Sequence, residues 1–438
     1  MEIYVVQTGD TLSAIAEKFG VTEKQLITDN GLQNQDELVI GQCIIIAQPK
    51  VTYIVQEGDT LESIAGSNHI SIIQLLRNNP SLSDREFIYP GEILVISYGE
   101  SQNKITTNGY ANSFINRNVL KRTLPFLTYL SIYGYSITGE TDIVEPDDND
   151  IIQMAKSYHV APIMLLSSLT IEGVGNNDAI YRMLYNDDIS SKYIENMLKI
   201  LKRKGFYGVN FIYTYLIAES TEVYNEFTKK VAKRLNEEGY ILFISIPPIL
   251  QIEDGRIGFE KIDFSEMGKY ANKVIIMNYN WARNPGPPMP PASVFTLQMF
   301  LDYLKNYIPP EKMIIGLPLL GYLWKLPFML GVTRATSLSY DGAIQLAEEK
   351  EAEILFDDKS QNPNFSYVEI DDNIPRKYVV WFVDARTMNA FGKLAVQYEA
   401  EGIAAWNIMT WLPQLWLIIN SQYEIETLLE KLNITCEP

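Results

Sequence analysis

Histidine is almost missing from this 438-residue chain: His69 and His159 stand far apart, without neighbouring metal-ligating side chains. A zinc centre or a Ser-His-Asp triad needs more than that, so neither chemistry is expected. Cysteine is as scarce, with only Cys43 and Cys436. Such low usage suits a reducing compartment or a fold that does not depend on disulfides. Positive charge is in deficit: 36 Lys and Arg face 54 Asp and Glu, a formal net charge of -18. That balance repels phosphate backbones and argues against a nucleic-acid partner. No apolar run approaches the roughly 20 residues of a membrane span. The start, MEIYVVQTGD, shows no basic segment, apolar core or cleavage site. Synthesis in a cytoplasm without a signal peptide is therefore expected. Neither a metal nor a cofactor is expected.

What is present begins with a repeat. YVVQTGDTLSAIAEKFG from Tyr4 returns as YIVQEGDTLESIAGSNH from Tyr53, and Asn30 returns as Asn79 at the same offset. Gly41 returns as Gly91, one residue later. In each copy a short β-branched strand meets Gly-Asp-Thr, whose Asp or Thr is expected to cap a helix carrying Leu12, Ile15 and Ala16, or Leu61, Ile64 and Ala65. A second helix and a closing strand, CIIIA or ILVIS, complete a βααβ unit of about fifty residues.

Both copies resemble LysM modules, whose pattern of Tyr-x-Val-x-x-Gly-Asp-Thr-Leu, Ile-Ala, Leu with Asn, and Leu with Gly is supplied nearly twice over. The resemblance implies binding of N-acetylglucosamine polymers, peptidoglycan or chitin, in a shallow groove. Carried onto this chain, the groove of residues 1–49 sets Gly9, Asp10, Thr11 and Leu12 opposite Asn30, Gly31 and Leu32. That of residues 50–97 sets Gly58, Asp59, Thr60 and Leu61 opposite Asn79, Pro80, Ser81 and Leu82. An N-acetyl group offers one donor, one acceptor and a methyl, which exposed backbone beside a small apolar patch can read. Asp10 and Asp59 as helix caps, and Asn30 and Asn79 as turn residues, are the structural alternative.

SYGESQNKITT is polar and aperiodic and reads as a linker over 98–107. Beyond it, eight strand-like runs alternate with helical segments: NGYAN, LTYLSIYGY, VAPIMLLSS, GVNFIYTYL, YILFISIP, KVIIMNYNW, MIIGLPLLGY and IAAWNIM. Continuous apolar strands separated by helices predict an α/β fold, a parallel (β/α)8 TIM barrel over 108–432. The stretch of about 322–378 is too long for one crossover and predicts an α+β insertion.

The fourth run, FYGVNFIYTYL from Phe206, resembles the fourth strand of family 18 glycoside hydrolases, whose signature is Asp-x-x-Asp-x-Asp-x-Glu. PFLTYLSIYGY, VIIMNYNW and MIIGLPLLGYLWKLP also resemble that family, and within it the LysM-bearing spore-cortex N-acetylglucosaminidases. In the family the Glu protonates the departing oxygen, and the neighbouring Asp orients the substrate's own acetamide as nucleophile, a departure from the two-carboxylate norm. Here the four acidic positions fall on Tyr207, Asn210, Ile212 and Thr214. General acid catalysis alone is worth about 10² to 10⁴ in rate, and losing the orienting carboxylate with it disables a unit. No catalytic residue is therefore assigned. Glu172, Glu219 and Glu222, in loops after the third and fourth strands, are the carboxylates that a relocated chemistry would use.

Family position places Asn210, Tyr279, Asn280 and Trp406 at the cleft, where an indole can stack on a sugar face. Trp281 and Trp324 read equally as cleft lining or core. The expectation is a peptidoglycan-binding, inactive barrel in the spore cortex or coat, deposited there from the mother cell. The competing readings are a glycosidase with a relocated carboxylate and a scaffold touching spore-coat proteins.

Overall fold

The computed structural model describes residues 1–32, 38–85, 87–101, 103–138, 141–167, 177–213, 216–253, 256–278, 286–371 and 373–428. Each repeat folds as strand, helix, helix, strand. The first holds β1 (Glu2–Val5), α1 (Leu12–Phe19), α2 (Glu23–Asn30) and β2 (Cys43–Ile46), and the second β3 (Val51–Ile54), α3 (Leu61–Ser67), α4 (Ile72–Asn78) and β4 (Ile93–Ser97). β1 pairs antiparallel with β2 and β3 with β4. Thr11 and Thr60 start their helices by accepting the backbone N–H groups of Ala14 and Ser63, which satisfies donors that a first turn leaves unpaired.

The two copies meet the rest of the chain differently. All of β2 is buried: Ile44 and Ile46 face their own module, while Cys43 and Ile45 join the main core with the barrel helices. A strand covered on both faces reads as an unbroken apolar run, which explains CIIIA. β4 keeps one face open, with Ile93 67% exposed. The turn glycines record the same contrast. A Cβ on Gly41 would lie 1.9 Å from the carbonyl oxygen of Ile354, whereas one on Gly91 would meet nothing within 4 Å.

Both modules dock on the helix Pro413–Gln422. Gln414 Nε2 donates to Asn30 Oδ1 and to the Cys43 carbonyl, each at 3.0 Å. In the second copy Asn420 Nδ2 donates to Asn78 Oδ1 at 2.8 Å, and Gln74 Nε2 to Asn420 Oδ1 at 3.0 Å. Buried Arg77 donates to the carbonyls of Pro125 at 2.5 Å and Ile425 at 3.2 Å.

The barrel strands are β5 (Asn103–Asn112), β6 (Tyr129–Thr138) with the short antiparallel β7 (Asp142–Val144) beside it, β8 (Ala161–Ser167), β9 (Gly208–Ile212) and β10 (Ile241–Ile246). After a hairpin of β11 (Leu250–Glu253) and β12 (Arg256–Phe259) come β13 (Lys273–Met277) and β14 (Met313–Pro318). The insertion follows, with β15 (Gly321–Lys325), β16 (Thr336–Leu338), the helix Tyr340–Glu349, β17 (Leu355–Asp357), β18 (Asn362–Asp371) and β19 (Ile374–Trp381). Then β20 (Gly402–Trp406) completes the barrel, and β21 (Tyr423–Ile425) runs beside β5. Eight strands pair in parallel in the order β5-β6-β8-β9-β10-β13-β14-β20, and β20 returns to β5. Each expected run supplies one of them. The insertion is an antiparallel five-stranded sheet ordered β16-β15-β19-β18-β17.

The expected linker is too long. Residues 103–107 belong to β5, with Ile105, Thr106 and Thr107 buried. The stretch reads as polar because the Thr107 N–H and hydroxyl are spent on Thr128 Oγ1 at 3.0 Å and the Phe126 carbonyl at 2.5 Å. Among the described residues no helix is long and apolar enough to cross a membrane.

Truncating Arg77 strands buried carbonyls that a charged donor now satisfies. Arg77→Ala is expected to lower the unfolding free energy by about 3 kcal/mol in urea titration. Burial pushes the Asp29 carboxyl up to about 7. Raised above its unfolded value, this group contributes stability that is complete below the ordinary carboxylate pKa and is lost as pH rises through about 7. Asp29→Asn, which matches Asn78 in the second copy, is expected to flatten the decline in melting temperature between about pH 4 and 7.

Candidate functional site

β9 obeys the two-residue period of a strand. Val209, Phe211 and Tyr213 pack outward in the main core, while Ile212 belongs to the cluster that fills the barrel interior. Asn210 shares the inward phase and is fully buried. Its Oδ1 accepts from Ser245 Oγ at 2.9 Å, and its Nδ2 donates to the Tyr110 hydroxyl at 3.4 Å. Burial pushes the Tyr110 phenol up to about 12, so this group is neutral at physiological pH. The cluster of Asn210, Ser245 and Tyr110 therefore carries no charge. Ile212, one inward step nearer the C-terminal mouth, lies in the same apolar cluster as Tyr110, Phe243 and Met277.

Tyr207 lies elsewhere. It precedes β9 and sits at the N-terminal end of the barrel, where burial, and after it the nearby Glu401 carboxylate, raise its phenol. Glu401 there accepts from Tyr129 at 3.2 Å and pairs with Lys273 at 2.5 Å. The first motif position is thus remote from the mouth, where barrel chemistry is built. Thr214, Tyr279, Asn280, Trp281 and Glu172 lie outside the described residues.

Trp406 ends β20 and is half-buried. Its ring centroid lies 5.0 Å from that of Tyr110 and 6.0 Å from that of Tyr133, the latter edge-on. Offset and T-shaped contacts of this kind fix an aromatic plate, so the C-terminal mouth has a rigid aromatic base. Sequence reasoning did not assign Tyr110 and Tyr133 to the site. The inward phase of β5 and β6 carried that signal. Trp324 is core: it is 3% exposed, and its Nε1 donates to the Gly286 carbonyl at 3.0 Å. Glu219 and Glu222 are exposed, in and just after the turn Ala218–Ser220.

In the modules the aspartates are not helix caps. Asp10 Oδ2 accepts from the Gln7 N–H at 2.7 Å and the Tyr4 hydroxyl at 2.8 Å, and the backbone bond holds its carboxyl below the ordinary range. Asp59 repeats this with Gln56 at 2.7 Å and Tyr53 at 2.9 Å. Each closes the Gly-Asp turn, leaving the cap to the following threonine. Asn30 is buried and braces the second strand, donating to the carbonyls of Leu26 and Ile45 and accepting the Ile45 N–H at 2.6 Å. Asn79 does the same with Leu75 and Val95. Leu12 and Leu82 are core, at 5% and 3% exposure. Gly9, Thr11, Gly58, Thr60 and Ser81 are exposed, and Gly31, Leu32, Leu61 and Pro80 are half-buried. What the two loops offer a ligand is therefore backbone and small hydroxyls, not the asparagine amides. Among the described residues no group of three His, Cys, Asp or Glu side chains is placed to hold a metal.

Residues 101–410 match the profile described as Glycosyl hydrolases family 18, and residues 4–47 and 53–97 match the LysM domain. The cortical fragment-lytic enzyme of Bacillus subtilis (strain 168) is 30% identical over 432 residues, covering 97% of this chain and 99% of the relative. The crystal structure of the Bacillus cereus spore cortex-lytic enzyme SleL superposes with a TM-score of 0.78 at 28% identity, over 97% of this chain and 98% of that one. A chitinase from Chromobacterium violaceum shares the fold alone, at 20% identity and a TM-score of 0.65, over 72% and 98%. The chain belongs to glycosyl hydrolase family 18 and carries two LysM domains at its N-terminal end.

Proposed function

We propose that this protein holds an N-acetylglucosamine-containing polymer, the peptidoglycan of a spore cortex or coat, without hydrolysing it. The full-length likeness to cortical fragment-lytic and spore cortex-lytic enzymes supports the polymer and the spore setting. The uncharged inward column of β9, among the described residues, supports the absence of hydrolysis and is the observation that carries the reading. Where the family places acids, Asn210 is bonded to Ser245 and Tyr110, and Ile212 is packed among apolar side chains. Isoleucine can neither accept an acetamide N–H nor stabilise a cationic intermediate, and a threonine at position 214 is far too weak an acid to protonate a leaving group at neutral pH. An exposed loop carboxylate such as Glu219 lacks the rigid placement that substitution for the missing acid demands. The aromatic base formed by Tyr110, Tyr133 and Trp406 still suits a sugar face.

A fluorogenic N-acetylglucosaminide and the release of reducing ends from cortex fragments test the reading. No turnover above the blank is expected, while the protein sediments with the fragments. Turnover that Glu219→Gln or Glu172→Gln abolishes would replace it with a glycosidase using a relocated carboxylate. Trp406→Ala is expected to weaken binding of a soluble N-acetylglucosamine oligomer to the full chain by about tenfold in calorimetry.

A further inference from the structure

A groove on the flank of the barrel carries chemistry that neither the family fold nor the modules account for. It runs between the helices Asn177–Tyr185 and Thr221–Glu237, beside the start of the helix Asp187–Lys204. It encloses about 840 Å³ of open space. Tyr185 lines it and stacks on Tyr181 one helical turn away, with ring centroids 4.4 Å apart and planes 25° from parallel. Tyr181 and Tyr185 are 59% and 54% exposed, so the stack keeps aromatic surface open to solvent, with Tyr185 at the groove and Tyr181 beside it. Lys229, Lys230 and Lys233 line the same groove against two carboxylates, Asp187 and Glu226. Lys230 is anchored to Asp187 at 2.6 Å, and Lys229 approaches Glu226 at 3.7 Å. Lys233 is exposed and has no ion-pair partner among the described residues. On a chain of net charge -18 this groove is locally cationic.

Resting on the reading that the protein holds a glycan, we infer that this groove is a further glycan site, selective for a strand whose sugars carry carboxyl groups. The stacked tyrosines match the apolar face of a pyranose ring. The ammonium groups match carboxylates on lactyl or peptide substituents, with Lys233 taking the charge-assisted hydrogen bond. Peptidoglycan supplies both features and chitin only the first. The groove thus selects between two polymers that share N-acetylglucosamine. Because it lies on the same chain as the LysM modules, a weak contact here adds to retention through effective concentration.

The test uses the full chain and two double variants, Lys229→Glu with Lys233→Glu, and Tyr181→Ala with Tyr185→Ala. Each is first shown to melt like the parent, then sedimented with purified peptidoglycan and with chitin. Both are expected to lose about tenfold in apparent affinity for peptidoglycan; the lysine variant keeps the parent's affinity for chitin, whereas the tyrosine variant weakens on both polymers. Added salt should shrink the parent's advantage over the lysine variant and leave the tyrosine variant's deficit unchanged, because only the former contact is screened. Unchanged binding of peptidoglycan by both variants, or an equal loss on chitin by the lysine variant, overturns the groove and leaves the glycan reading standing. A parent chain retained by neither polymer overturns both.

Discussion

The arrangement of the whole chain depends on a short ladder of amide hydrogen bonds along one helix. Gln414 and Asn420 of Pro413–Gln422 reach Asn30 and Asn78, one residue from each module. These groups are buried, so each would cost its full desolvation if the modules slid out of register and left it unpaired. Apolar contact alone would tolerate sliding; paired amides tolerate one register. Arg77 adds a cation whose donors are consumed by backbone carbonyls, locking the second module more firmly than its small contact would. The first module is held by the two covered faces of β2, and Arg386 of the barrel domain donates to its Gly41 carbonyl at 3.3 Å.

Burial is used in two opposed ways inside the barrel domain. Away from the mouth it holds real charges. Lys204 Nζ reaches Asp148 Oδ1 at 2.6 Å and the Tyr135 hydroxyl at 2.9 Å, and Tyr135 donates to Asp148 at 2.6 Å. Lys204 also donates to the Pro146 carbonyl at 3.1 Å and pairs with Glu145 at 3.3 Å, so its charge is fully paired, which is the condition under which a buried ion pair is tolerated. On the inward column of β9 the described groups are neutral: an amide, a hydroxyl, a phenol and aliphatic carbon. The polar contacts of this column keep the barrel's shape without placing a charge among its described groups. The retained fold and the proposed loss of chemistry are therefore compatible in one domain, because the interior packs as well around Ile212 as it would around a solvated acid.

Much of this was legible in the sequence. Eight apolar runs gave eight barrel strands because a parallel sheet covered on both faces demands continuous apolar residues. The twofold repeat gave two βααβ units because its glycines and threonines mark turns and caps at fixed offsets. What was misread failed for local reasons. NKITT looked like linker because a strand at the barrel's end spends polar side chains on its neighbours. Asp10 and Asp59 looked like caps because a carboxylate beside a helix start has two possible jobs, and only geometry shows that it closes the preceding turn. Asn30 looked like a groove residue, yet its amide braces β2 and meets Gln414, a partner 384 positions away that no local pattern could announce. Tyr110 and Tyr133 were hidden for the same reason: their value at the mouth comes from Trp406, far along the chain.

Fixed docking also changes what two modules are worth. On a flexible tether, each module searches independently and a second contact forms at an effective concentration set by linker length. Here the modules are bonded to the barrel, with Gly41 pressed on Ile354 and Asn78 on Asn420, so their separation and orientation are set before any ligand arrives. A polymer that matches that spacing meets preorganised contacts and loses no linker entropy. One that does not match gains only a single site. On the proposed reading, modules fixed in this way would trade reach for selectivity among polymers by repeat geometry, a kind of discrimination that shallow grooves built from backbone and small hydroxyls would not achieve singly.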